Sequence, residues 1–120
     1  MKALILVCAM AISSATYSPA LLASSAAFQV CPTDFHTVSM PSNATLCQRF
    51  DSGYPATMVF YSQDSQQVLV DHYRDAYPGL EVRSTVQGRT LLTADNNSVR
   101  VIISPDNDGS QVDMMITTAR

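Results

Sequence analysis

The sequence predicts a small α+β protein in which one helix packs on a mainly antiparallel sheet of four to five strands. Two observations carry this prediction. One amphipathic helical pattern ends near residue 76, and segments with strand-like composition lie on both sides of it. The later connections are short and rich in turn formers, which favours antiparallel neighbours. The expected order is β-α-β-β-β-β, after an irregular N-terminal segment that a disulfide pins.

Residues 1–26 have the layout of a secretory signal peptide. Lys2 is followed by an apolar run from Ala3 to Ile12 and then by Ser- and Ala-rich chain. This run is too short to span a bilayer as a helix. We therefore expect these residues to be cleaved and the protein to be exported, to a periplasm or outside the cell, without a membrane anchor.

Residues 27–55 are predicted to be irregular, because prolines and turn formers interrupt any long period. They are expected to form one domain with the α+β core of residues 56–120. Cys31 and Cys47 are the cysteines that follow the signal. Such a pair in a small exported domain most often forms a disulfide, here closing a loop of about 15 residues.

The first predicted strand spans residues 57–61, which are mostly β-branched or aromatic, and it is expected to join an edge of the sheet. Asp64 is the expected N-cap of the helix, with Gln67 in the capping-box position. The helix ends before Pro78-Gly79. Its core side is predicted to carry Leu69, Val70, Tyr73, Ala76 and Tyr77.

Four further strands are predicted over residues 80–86, 90–94, 99–104 and 111–118. Alternation orients them when Ile103 is paired with Val112, Ala94 with Val99, and Val86 with Thr90 across a three-residue loop. The face expected to meet the helix then carries Leu80, Val82, Val86, Leu92, Ala94, Val99, Val101, Ile103, Val112, Met114 and Ile116.

The opposite face is the candidate partner-binding surface. In this register three apolar side chains lie close together, and charged side chains surround them. The apolar residues are Leu91, Ile102 and Met115, and the charged ones are Arg83, Arg100 and Asp113. An apolar centre with an Arg-bearing rim is typical of protein interfaces. Its expected partner is another protein or a second copy of the chain.

Two other interpretations of this face stay open. In the first, residues 28–50 fold over it, and Phe28, Phe35 or Phe50 supplies the cover. In the second, its apolar side chains are simply exposed, which is common on protein surfaces.

Charge argues against nucleic acid as a partner. Lys2 is the only lysine and belongs to the signal, so six arginines face ten acidic residues in the remaining chain. Nucleic-acid binding depends on clustered positive charge. The same charge balance argues against binding to an anionic membrane surface.

The sequence contains no recognisable catalytic motif. Asp34 lies near His36, and Asp75 lies one helical turn from His72, but neither pair comes with an identifiable nucleophile. We therefore expect no enzymatic activity, no cofactor and no assigned metal site. The predicted function is that of an exported, non-enzymatic binding module: an adaptor, inhibitor or accessory subunit.

The alternative function is a small-ligand or metal carrier. Copper is the metal considered, because soft ligands suit it and the chain contains several. These are His36, Met40, Met114 and Met115.

Overall fold

The computed structural model describes residues 30–118, so the predicted signal peptide and Phe28 lie outside the described residues. The described part contains one helix and eight strands. They are β1 (Asp34–Phe35), β2 (Val38–Ser39), β3 (Thr45–Phe50), β4 (Ala56–Ser62), α1 (Gln66–Ala76), β5 (Glu81–Val86), β6 (Arg89–Ala94), β7 (Val99–Asp106) and β8 (Gly109–Ile116).

Six strands form one antiparallel sheet in the order β3-β4-β8-β7-β6-β5, and β1 pairs with β2 in a separate hairpin. The α+β class is confirmed, but the sheet has six strands rather than four to five. The additional strand, β3, lies in the segment predicted to be irregular. Because β3 covers its free side, β4 lies inside the sheet and not at its edge.

A bulge explains why β3 is hard to recognise in the sequence. Its register with β4 shifts between Thr45 and Gln48, and Leu46 has a φ of 55°. Thr45 and Leu46 are consequently both exposed, whereas Cys47 is buried. The strict alternation of a strand is lost at this point.

The helix begins slightly later than predicted. Ser65, not Asp64, is the N-cap, and its Oγ accepts a hydrogen bond from the backbone N–H of Val68. Asp64 instead donates its backbone N–H to the Ser62 hydroxyl. The helix residues that are buried against the sheet are Leu69, Val70 and Tyr73, all on the predicted face.

The registers of the central strands are confirmed. Ile103 lies opposite Val112, and Ala94 lies opposite Val99. These pairings turn the expected apolar face of β6, β7 and β8 towards α1. Leu92, which faces the same way, is fully buried.

The predicted register of β5 is wrong. Its turn has two residues, Gln87 and Gly88, both with positive φ, as a two-residue hairpin turn requires. A further shift lies at Arg83. Val86 consequently lies opposite Arg89 and is 62% exposed. Val82 lies opposite the buried Leu92 but is still 45% exposed, because β5 is the edge strand.

The N-terminal hairpin packs on the same side of the sheet as α1. Phe35 and Val38 are completely buried in the common core. The predicted disulfide between Cys31 and Cys47 is present and ties the chain before β1 to β3. Phe35 therefore contributes to the core and does not cover the opposite face, whereas Phe50, another of the three phenylalanines considered as a cover, lies on that face.

Tyr73 is the largest fully buried side chain of the described residues. Its hydroxyl donates a hydrogen bond to the Met114 sulfur at 3.4 Å. Burial raises the pKa of this hydroxyl well above its ordinary value of 10.0. In the unfolded chain the same group titrates near its ordinary value, so its proton is held more tightly in the folded protein.

Tyr73→Phe is therefore expected to reduce the loss of stability at alkaline pH. Below pH 10 the Tyr73 hydroxyl keeps its proton in both the folded and the unfolded state of the wild type. Above pH 10 the unfolded chain releases this proton, which stabilises the unfolded state relative to the folded one. At pH 11 this effect lowers the free energy of unfolding of the wild type by about 1.4 kcal/mol, and Tyr73→Phe lacks it. Urea unfolding of both proteins at pH 7 to 11 measures the difference. Parallel stability curves would contradict the prediction.

Candidate binding surface on the outer face of the sheet

The sheet face opposite α1, called the outer face below, brings the predicted interface residues together. Ile102 lies opposite Leu91 on one side and opposite Asp113 on the other, while Arg100 lies opposite Met115. Arg83 comes from the irregular part of β5. Among the described segments, α1 and the β1–β2 hairpin pack on the other face of the sheet.

The centre of the outer face is a depression of about 700 Å³. Ile102, Met115 and Val59 supply apolar walls, and Phe50 lines it from β3. Arg100 reaches it from the β6 side. Arg89, Asp106 and Asp113 line it as well, so the depression combines apolar surface with side chains of both charges.

A second depression of about 550 Å³ lies on the β5–β6 side. Arg83, Leu91, Thr93, Asn97 and Arg100 line it. Arg100 lines both depressions, so the apolar and basic parts of the outer face are continuous.

The arginines of the outer face lack carboxylate partners within the described part of the chain. The one ion pair there joins Arg49 to Asp51 at 3.0 Å. Arg83 instead donates from Nε to the Thr93 hydroxyl at 2.8 Å. Asp113 accepts a hydrogen bond from the Gln111 amide at 3.2 Å. The charges of this face are therefore available to a ligand.

Val59 and Arg89 are among the lining residues that sequence reasoning missed, whereas Phe50 was one of the three phenylalanines considered as a cover for this face. Val59 reaches the outer face because β4 pairs with β8, where it lies opposite Asp113. Phe50 is placed beside it by β3, opposite Thr57. The alternation in residues 57–61 could have assigned Val59 to one face of the sheet and Met58 and Phe60 to the other. Only the pairing of β4 with β8 locates Val59 at the depression.

The two histidines contact a backbone carbonyl oxygen and aromatic rings. Nε2 of His72 lies 3.0 Å from the Ser39 carbonyl oxygen and joins α1 to the hairpin. His36 occupies the hairpin turn, where its ring lies 4.7 Å from that of Phe35 and 5.8 Å from that of Tyr54. No hydrogen bond joins a histidine to a carboxylate in residues 30–118.

The candidate copper ligands are distributed over both sides of the sheet. Met40 and Met114 are buried in the core, whereas Met115 points to the outer face. His36 is exposed in the hairpin turn. Within the described residues, no group of three His, Cys, Asp or Glu side chains is placed to hold a metal ion.

The chain matches no known family model, no curated protein and no solved structure. No helix in the described range is long and apolar enough to cross a membrane. What the outer face offers to a ligand is an apolar centre, two adjoining depressions and arginines without acidic partners.

Proposed function

We propose that this protein is an exported, non-enzymatic binding module whose outer face contacts another protein or a second copy of the chain. One observation carries the proposal: Leu91, Ile102 and Met115 are half-buried neighbours on a sheet face that the described helix and hairpin leave open. The solvated face of an antiparallel sheet is ordinarily polar. An apolar group with charged neighbours is the usual composition of a protein interface.

Export is part of the same proposal. The signal-like residues 1–26 support it, and the disulfide between Cys31 and Cys47 fits an oxidising compartment. In that setting the module would act as an adaptor, inhibitor or accessory subunit.

A small-ligand carrier is the second candidate function. The observation in its favour is the central depression of about 700 Å³, a volume within the usual range of ligand sites. Its walls contain both apolar and charged side chains, as such sites do. Unlike a carrier, a protein-binding module should lose a macromolecular association when the outer face is altered.

Ile102→Asp is expected to abolish this association while leaving the fold intact. Burying Ile102 against a partner contributes roughly 1.5–3 kcal/mol, which corresponds to about a 10- to 150-fold loss of affinity. Self-association is measured by sedimentation velocity, and other partners by capture from an extract of the native compartment. Thermal unfolding monitors the fold.

The matched control is Ile103→Asp. Ile103 is the next residue of β7 and is completely buried on the core side. Placing a carboxylate at this position is expected to unfold the protein. If Ile102→Asp lowered the stability as much as Ile103→Asp does, the outer face would be covered by another part of the chain. Unchanged association would remove the support for a binding role.

A further inference from the structure

Two arginines of the outer face lie on either side of Thr93. Thr93 is opposite Arg100 in the β6–β7 register, and its hydroxyl accepts the hydrogen bond from Arg83. Opposite residues in an antiparallel pair have Cβ atoms about 4.5–5.5 Å apart. Thr93 itself is only 2% exposed. Both arginines line the second depression, together with Asn97.

The position of Arg100 is unusual for a side chain that serves only solubility. It is half-buried in the middle of the sheet, where its neighbours along β8 and β6 are Met115 and Thr93. It forms no ion pair within residues 30–118. A guanidinium in such surroundings is suited to a planar anion that can accept two parallel hydrogen bonds.

We infer that Arg83 and Arg100 bind a carboxylate group, an Asp or Glu side chain of a protein partner whose neighbouring apolar side chain enters the central depression. Arg100 lines both depressions and therefore places the charged contact next to the apolar one. The inference rests on the proposed function and names the chemistry of its partner.

Charge favours a single carboxylate over a polyanion. The chain has a formal net charge of −3, so a nucleic acid or another extended anion meets overall repulsion. Two acidic residues also lie near the arginines: Glu81 is opposite Thr93, and Asp113 is opposite Ile102. Arg89 also lines the central depression, together with Asp106 and Asp113, so acidic side chains interrupt the positive charge of the outer face there as well.

The test is a selection of random peptides displayed on phage against the protein recovered from expression of the full chain. Wild type should enrich peptides with an acidic residue next to an apolar one. In a synthetic copy of a selected peptide, replacing that Glu by Gln should weaken binding about 10-fold or more. The double variant Arg83→Glu/Arg100→Glu should enrich basic residues at the same position instead.

Two further variants serve as controls. Arg74→Glu reverses an exposed charge on α1 and should leave the selected peptides unchanged. Arg83→Gln/Arg100→Gln removes the charge without reversing it. It should abolish the acidic preference while the melting temperature shows that the fold is retained.

The possible failures separate the two proposals. Peptides that lose binding in Ile102→Asp but show no acidic preference would overturn the carboxylate site and leave the binding module standing. Enrichment that is the same in wild type and Ile102→Asp would overturn both.

Discussion

Phe35→Ala is expected to lower the free energy of unfolding by about 4 kcal/mol, because removing a buried aromatic ring leaves a cavity. Phe35 is completely buried, and the Arg49 guanidinium lies 5.5 Å from the centre of its ring. For a domain of this size the melting temperature should fall by more than about 15 °C. Thermal and urea unfolding measure both quantities.

Phe50→Ala is the matched control for this prediction. Phe50 is also in the N-terminal part of the chain, but it is 51% exposed and lines the outer face. Its removal should change stability by no more than about 1 kcal/mol and should weaken binding at the outer face instead. Equal losses of stability in the two variants would mean that the hairpin does not belong to the core.

This pair of phenylalanines shows where sequence reasoning ends. Both follow a turn-rich stretch and have the same side chain, so their composition does not distinguish core from surface. Their roles depend on which side of the sheet the hairpin packs against, and this is a contact between distant parts of the chain. Periodicity reports only the local alternation of a strand.

The central strands were predictable because two constraints agree there. Apolar residues alternate through β7 and β8, and the Asp106–Gly109 connection is too short to permit many registers. A slip of one residue would expose Val101 and Ile103 together. The neighbouring outer-face residues Ile102 and Asp113 could therefore be paired from the sequence alone.

The edge strands were not predictable on the same basis. Leu46 and Gln87 adopt positive φ without being Gly, Asn or Asp, the residues that usually indicate such a conformation. The irregularity at Arg83 then reverses the orientation of the strand residues that follow it. The depressions of the outer face also depend on strands far apart in sequence, which alternation within one strand does not specify.

Gly109→Ala is expected to destabilise the protein by about 3 kcal/mol, the upper range for an overpacking substitution. An added Cβ would lie 2.2 Å from the Ser62 carbonyl oxygen and 2.6 Å from the Tyr61 hydroxyl oxygen. The tyrosine can rotate away, but the carbonyl is part of β4, which pairs with β8 at Ser110. Relief of the clash therefore requires the two strands to separate at this end.

Gly53→Ala provides the comparison that isolates this close approach. Gly53 has no atom within 4 Å of an added Cβ and does not have a positive φ. Its substitution should change the free energy of unfolding by less than about 0.5 kcal/mol. The free energies of unfolding of the two variants, measured with urea, should thus differ by more than about 2 kcal/mol. Similar values would contradict the tight contact between β4 and the start of β8, and with it the register that places Val59 beside the central depression.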